Sequence, residues 1–307
     1  MDLTYSGLLT RMLNENFLFS ALLELTYRCN LNCYFCCNDR MRTGTPLSLD
    51  EYVRFFRDLR DLGTFELTFS GGEPLLYPDF FELGRVARQL GFALPVKTNG
   101  VALEEAVAER LLKEVDPFIV EISLHGARPA TYERQTRVSG SFERLMANLQ
   151  SLRKLGLRAQ LNATLTAWNE AEWEEMISLA EAIGMRIQID SNVTPRDDGS
   201  PEPLCISASR QASERLLRIY QECTDVAPSH PDQDASQEQG PVVFTPTRRK
   251  FCGAGSLGVA VDPWGNVYPC VHMADSSREP PRRFHQKHLE MLTGFAERSR
   301  DPGERYG

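Results

Sequence analysis

Four of the eight cysteines in this 307-residue chain fall within nine residues, at positions 29, 33, 36 and 37. Cys29, Cys33 and Cys36 have the spacing Cys-x3-Cys-x2-Cys. Three thiolates this close can bind one compact metal centre, but they leave a zinc ion or an iron–sulfur cube one ligand short. An iron with an open position is what a substrate-binding cluster needs. Cys37 is adjacent to Cys36, so we expect its side chain to point away from the metal.

A second candidate motif is Gly71-Gly72-Glu73-Pro74. Two adjacent glycines let the backbone approach a ligand closely. The carboxylate that follows can meet an ammonium group. In isolation such a segment is most often only a turn. The cysteines also have an alternative interpretation, because a Cys-x2-Cys pair by itself is equally typical of a zinc site and of a redox dithiol.

Short apolar runs alternate with amphipathic stretches between residues 17 and 190. The predicted strands are Phe19–Thr26, Phe65–Ser70, Leu94–Thr98, Phe118–Ser123, Leu157–Thr164 and Met185–Asp190. The predicted helices are Leu49–Leu62, Phe80–Leu90, Leu103–Glu114, Phe142–Leu155 and Glu172–Ile183. Ser48 and Glu51 have capping-box spacing before the first helix. Four helices end in an apolar residue and then a glycine, at positions 63, 91, 156 and 184.

This alternation predicts an α/β fold, a partial (β/α)6 TIM-like barrel, with the chemistry at the carboxyl ends of its strands. Both motifs above follow predicted strands. Four regions are predicted. An N-terminal extension covers 1–16, the barrel core 17–195, a helix near Ala208–Glu222 with a flexible linker 196–247, and a small cysteine-bearing β-hairpin extension 248–307.

The composition excludes several classes of protein. A formal net charge of −8 argues against a nucleic-acid or anionic-membrane partner, since phosphate binding needs a basic surface. No apolar run approaches the roughly 20 residues of a membrane helix, and the first residues lack the pattern of a signal peptide. We therefore expect a cytoplasmic protein.

The cysteine triplet after the first strand, together with Gly-Gly-Glu-Pro after the second, resembles the radical S-adenosylmethionine (SAM) superfamily. The resemblance implies that Cys29, Cys33 and Cys36 hold a [4Fe–4S] cluster whose fourth iron binds the methionine moiety of SAM. It implies an electron donor such as flavodoxin or ferredoxin. The cluster would cleave SAM to methionine and a 5′-deoxyadenosyl radical, which removes hydrogen from a substrate.

The same resemblance implies the cofactor-binding residues. Those expected around SAM are Phe35 near the adenine, Gly71, Gly72, Glu73 and Pro74 at the amino group, Ser123 at the ribose or carboxylate, Asn162 at the ribose, and Arg144 at the carboxylate. Arg144 could instead be a solvated helix charge, and Asn162 a polar residue of the barrel interior. His125 is either a substrate-facing acid or base, or a residue at the mouth of the barrel whose ring already has hydrogen-bond partners. No catalytic residue is assigned.

Cys252 and Cys270 flank a predicted hairpin that turns at Gly265. The segment resembles the opening half of a SPASM or twitch domain, which binds auxiliary [4Fe–4S] clusters. No cysteine follows position 270, so this domain is incomplete relative to the family. The sequence leaves three readings open: a domain that is cut short, a cluster completed by Cys205, Cys223, His272 or the substrate, or no auxiliary cluster.

The resemblance of residues 118–155 and 248–270 to peptide-maturing enzymes favours a peptide substrate, in RiPP or protein maturation. Only some 16 residues precede the first strand, so we expect a separate protein to recognise the peptide. One alternative is a radical SAM oxidoreductase acting on a small molecule or cofactor precursor such as a tetrapyrrole. Another is a non-catalytic metal-binding barrel.

Overall fold

The computed structural model describes residues 17–225 and 257–271. Their centre is one sheet with the strand order β6-β5-β4-β3-β2-β1-β7-β8. The strands are β1 Ser20–Glu24, β2 Glu66–Ser70, β3 Pro95–Thr98, β4 Ile119–Ser123, β5 Ala159–Thr164, β6 Ile187–Asp190, β7 Gly258–Val261 and β8 Val267–Tyr268. Every pairing is parallel except that of β7 with β8. The sheet is not closed, which confirms the predicted α/β partial barrel.

Helices connect the strands in the predicted order. They are α1 Leu49–Asp61, α2 Phe80–Gln89, α3 Glu105–Arg110, α4 Pro129–Thr136, α5 Ser141–Leu155, α6 Trp173–Ile183 and α7 Arg210–Asp225. α3 continues as a π-helical turn, Leu111–Val115, and short 3₁₀ helices cover Pro74–Leu76 and Glu202–Ile206. Sequence patterning missed α4, because eight residues give too short a periodic signal.

The predicted helix boundaries are confirmed at both ends. The Ser48 side chain accepts from the backbone of Glu51 while the Glu51 side chain accepts from the backbone of Ser48, which is a complete capping box. The glycines at 63, 91, 156 and 184 all have positive φ, between 70° and 84°. Each of these four chain reversals therefore uses the left-handed conformation that glycine adopts without strain.

The two faces of the sheet differ in polarity. Leu23 and Val96 are fully buried in the core that the sheet forms with the helices. Alternate residues lie on the opposite, concave face. There Lys97 of β3 pairs with Glu121 of β4, and the Asn162 amide of β5 donates to Glu121 Oε2 over 2.6 Å. The barrel interior is therefore lined by polar groups that bind one another across strands.

The hairpin β7–β8 extends the barrel sheet. β7 pairs in parallel with β1, with Ser20 opposite Gly258 and Leu23 opposite Val261. The hairpin and its turn at Gly265, with φ 81°, confirm the prediction. Its attachment to β1 was not predicted, because the two strands lie more than 200 residues apart.

Several predictions fall outside the described residues. These are the extension 1–16, the linker 226–247, Cys252, His272 and the tail beyond 271. The side chain of Cys223 is also outside them. No helix within the described ranges is long and apolar enough to span a bilayer.

Replacing Ser48 by alanine removes the hydroxyl of the capping box. We expect the free energy of unfolding to fall by about 1 kcal/mol, since one orphan N–H at the start of α1 loses its acceptor. Urea denaturation measures this change. Ser139→Ala, in an exposed turn, is the control, and an equal loss in both variants would contradict a capping role.

Candidate functional site

Residues 25–38, which we call the cysteine loop, begin where β1 ends. This loop packs directly on the Gly71-Gly72 turn. Gly72 N–H donates to Thr26 O over 2.6 Å, and Glu73 N–H to Arg28 O over 2.9 Å. A Cβ on Gly71 would lie 2.4 Å from Thr26 O, and one on Gly72 would lie 2.4 Å from Arg28 O. Gly71 also has φ +125°. Glycine is therefore required here because the loop backbone itself comes this close.

Glu73 ties the ends of β2 and β3 together. Its carboxylate is fully buried and accepts from Thr98 Oγ1 at 2.7 Å, from Asn99 N–H at 2.8 Å and from Leu75 N–H at 3.2 Å. Burial raises the pKa of Glu73 to about 7, although these hydrogen bonds oppose the shift. Its contact with a SAM amino group stays a prediction.

Asn99 connects the same strand end to the cysteine loop. Its Nδ2 donates to Asn30 Oδ1 over 2.7 Å and lies 3.6 Å from Cys29 Sγ. Leu31 N–H also points at Cys29 Sγ, at 3.4 Å. Sequence reasoning did not single out Asn99. The signal that could have identified Asn99 was its position directly after β3, which is equivalent to the position of Gly71 after β2.

The other side of the loop is held through its backbone. Asn32 N–H and Tyr34 N–H donate to the carbonyls of Thr136 and Gln135 at the end of α4, each over 2.9 Å. The Arg196 guanidinium donates to Cys36 O at 3.2 Å and to Tyr34 O at 3.3 Å. Arg196 and α4 were not predicted as parts of the site, because their link to the loop is tertiary.

Asn38 lies beneath the last two cysteines. Its Oδ1 is 3.6 Å from Cys36 Sγ and 3.9 Å from Cys37 Sγ, and its Nδ2 donates to Glu24 Oε1 over 2.9 Å. Burial raises the pKa of Glu24 to about 7. Asp197 N–H donates to Cys37 O over 2.8 Å, so the segment after β6 also fixes this end of the loop.

The chemistry of the loop fits a thiolate-bound cluster. Cys29, Cys33 and Cys36 are partly buried and free of disulfides. Burial raises the pKa of the Cys29 and Cys33 thiols, so a cationic metal is what would favour their thiolate forms. The buried hydroxyl of Tyr132 has no hydrogen-bond partner among the described residues, and its pKa is raised by burial and by the nearby charge of Cys33.

Among residues 17–225 and 257–271, no three Cys, His, Asp or Glu side chains converge closely enough to share one metal ion. An iron–sulfur cube does not require that convergence, because each thiolate binds a different iron.

Phe35 and His125 are brought together at the barrel mouth. Their ring centroids lie 4.7 Å apart with an edge-on geometry, and His125 Nδ1 accepts from Thr164 N–H over 3.4 Å. Burial lowers the pKa of His125 to about 4, so its imidazole is neutral near pH 7. His125 therefore has a hydrogen-bond donor to its ring and an aromatic neighbour, and a role as acid or base stays a prediction.

The remaining predicted residues differ in their surroundings. Ser123 and Asn162 are register partners on β4 and β5, so they lie side by side on the concave face. The Asn162 amide is held by Glu121 and by Gln160, as expected of a polar interior residue. Arg144 is exposed in the first turn of α5, which matches a solvated helix charge. Their contacts with SAM stay predictions.

A parallel partial barrel with a three-cysteine loop at the carboxyl end of its first strand defines a class of cofactor-dependent enzymes. The sequence profile of the Radical SAM superfamily matches residues 23–180. The chain belongs to this superfamily. Membership confirms the predicted enzyme class and its two cofactors, a [4Fe–4S] cluster and SAM.

Known relatives cover most of the chain. The AdoMet-dependent heme synthase of Methanosarcina barkeri is 28% identical over 92% of this chain and 85% of its own length. The PqqA peptide cyclase of Ruegeria pomeroyi is 30% identical over 84% of this chain and 68% of its own length. These similarities lie within the SPASM-type branch predicted from the sequence.

The fold is also similar to that of Streptococcus suis SuiB bound to its precursor peptide SuiA. The TM-score is 0.68 at 16% identity, over 90% of this chain. The match spans 64% of the SuiB chain, so this chain is similar to just under two thirds of that protein.

Substituting Gly72 by alanine places a methyl group against Arg28 O, and we expect a loss of about 1–3 kcal/mol in stability. Bound iron after anaerobic reconstitution should fall as well. Gly91→Ala is the comparison variant. Its φ of +84° strains any side chain, so stability should fall here too. Nothing lies within 4 Å of the added Cβ, and Gly91 precedes β3 at the end away from the cysteines, so iron should be retained. Urea denaturation and iron analysis measure both. A Gly72 variant with unchanged stability would refute the close-packing argument.

Arg196→Gln should lower the affinity of the site for its cluster by about 10- to 100-fold, because two loop carbonyls lose their donor. Arg196→Lys should rescue it only in part, since an ammonium lacks the planar fork. Glu202→Gln removes the ion pair of Arg196, 3.0 Å long, but leaves the carbonyl contacts and should retain iron. Iron retention during chelator challenge is the measurement, and full retention in Arg196→Gln would contradict this role.

Proposed function

We propose that this protein is a peptide-modifying radical SAM enzyme whose cluster is bound by Cys29, Cys33 and Cys36. The observation that carries the proposal is the cysteine loop. It holds three free, partly buried cysteines, and it is fixed by the Gly71-Gly72 turn at the mouth of a parallel barrel. When bound, the cluster and SAM supply one-electron reductive cleavage and removal of a hydrogen atom from the substrate.

The chain's own residues provide position and exclusion of water. Asn99 donates towards Cys29, and backbone contacts to Arg196 and α4 keep the loop in one conformation. Phe35 and His125 pack edge-on at the mouth. Side chains that exclude water from such a site protect a reactive species from solvent.

A peptide substrate is supported by the relatives. One of them is named as a peptide cyclase, the PqqA peptide cyclase, and another as a maturase, the mycofactocin maturase MftC of Mycobacterium tuberculosis. The polar concave face, with Lys97, Glu121 and Asn162, offers hydrogen-bonding groups of the kind that a peptide backbone uses. Inference from relatives is an analogy, so the substrate requires a direct test.

A tetrapyrrole substrate is the second candidate. One observation favours it: the heme synthase similarity extends over 85% of that relative's length, further than the similarity to the peptide cyclase. Binding of a porphyrin would shift its Soret absorbance during titration with the protein. A shift together with no response to peptides would favour this candidate.

A triple Cys29/Cys33/Cys36→Ala variant should lose the iron–sulfur absorbance at roughly 400 nm, because the cluster has no thiolates left. It should also form no 5′-deoxyadenosine from SAM. Cys37→Ala is the matched control, a neighbouring cysteine outside the triplet, and should keep both. Iron and sulfide analysis with chromatography of SAM products provides the readout. Iron lost in Cys37→Ala but retained in the triple variant would overturn the assignment.

Precursor peptides encoded beside the gene should raise the rate of 5′-deoxyadenosine release and lose hydrogen, seen by mass spectrometry. The triple cysteine variant, mixed with the same peptides, is the control. Release that responds to a porphyrin and to no peptide would refute the peptide assignment but keep the radical SAM assignment.

A further inference from the structure

Arginines gather on the cysteine loop of a chain that is acidic as a whole. The arginine–aromatic patch comprises Arg40, Arg134, Arg137, Tyr34 and Trp168. Arg137 lies over the Tyr34 ring at 4.4 Å, and Arg134 over the Trp168 ring at 4.2 Å. The two rings contact each other, with centroids 4.8 Å apart. These side chains therefore form one continuous surface.

The patch lies on the residues between the cysteines. Tyr34 is between Cys33 and Cys36, and its N–H is bound to the end of α4, the helix that carries Arg134. Arg40 donates to Asn32 Oδ1 over 3.1 Å, and Asn32 N–H donates to Thr136 O. The patch is therefore joined to the cysteine loop through Tyr34 and Asn32.

The charge of the patch contrasts with that of the chain. The whole chain carries a formal charge of −8, whereas Arg134 and Arg137 are exposed here. The carboxylate of Glu202 pairs with two arginines, Arg137 of the patch at 3.6 Å and the neighbouring Arg196 at 3.0 Å. One carboxylate between two guanidinium groups leaves excess positive charge. Such a surface attracts an acidic partner.

We propose that the arginine–aromatic patch is the docking surface for an acidic one-electron carrier protein with a flavin or iron–sulfur group. The proposal rests on the proposed function, which requires one electron for each SAM cleaved. The carrier is oxidised by one electron and the cluster is reduced by one, with no bond made or broken in the transfer. Electron-transfer encounters use small interfaces. Tyr34, in the aromatic pair, directly follows Cys33 in the chain.

The test compares two reductants on the reconstituted full chain. Reduced flavodoxin is the acidic carrier, and dithionite is a small reductant that needs no docking surface. Arg134→Glu/Arg137→Glu should lower flavodoxin-driven formation of 5′-deoxyadenosine by about tenfold at low ionic strength. The dithionite-driven rate should stay within about twofold of the wild type. Arg134→Gln should give an intermediate loss, and Arg60→Glu, on the last turn of α1, is the charge-reversal control and should give none.

Salt provides an independent readout. The wild-type flavodoxin-driven rate should fall as ionic strength rises from about 0.01 to 0.3 M, since exposed charges are screened. The double variant should lose this dependence. Equal losses with both reductants, or a flavodoxin rate that ignores the variants and salt, would overturn the proposal. A wild type that forms no 5′-deoxyadenosine with dithionite would instead refute the proposed function.

Discussion

The close contact between the Gly71-Gly72 turn and the start of the cysteine loop determines the rest of the site. Backbone atoms of Thr26 and Arg28 occupy the space that a side chain at either glycine would need. This contact fixes the end of β2 against the end of β1, so the loop leaves the sheet in one direction. The absence of side chains at these two glycines is therefore one requirement for the position of the cysteine loop.

Buried polar groups extend this constraint around the mouth. Glu73 is fully buried, and each of its hydrogen bonds comes from a neighbouring strand end or turn. Breaking any one of them would leave a buried acceptor unsatisfied, which is costly. Asn99, whose N–H donates to Glu73, also places its side-chain amide next to the Cys29 sulfur. The barrel mouth is thus a connected network in which strand ends, glycine turn and cysteine loop hold one another.

The C-terminal hairpin belongs to the same unit. Arg42, just after the cysteine loop, pairs with the buried Asp262 over 3.3 Å. Trp264 packs edge-on against Tyr27 at 5.1 Å, and a Cβ on Gly44 would lie 2.5 Å from its indole ring. The hairpin therefore covers one side of the loop as well as extending the sheet at β1.

The sequence alone determined the order of the strands and of the connecting helices other than α4, with four of their glycine stops, because periodicity and capping residues are local signals. The cysteine triplet and the Gly-Gly-Glu-Pro motif indicated the cofactor class through their resemblance to a known family. It also identified Gly71 and Gly72. The sequence predicted that they approach a ligand, whereas the structure shows their closest described contacts to be with the backbone of Thr26 and Arg28. Only the tertiary structure placed Asn99 and Arg196 on the loop and joined β7 to β1. These contacts link residues about 70 to 240 positions apart, and no local pattern records which distant backbone group a side chain will meet.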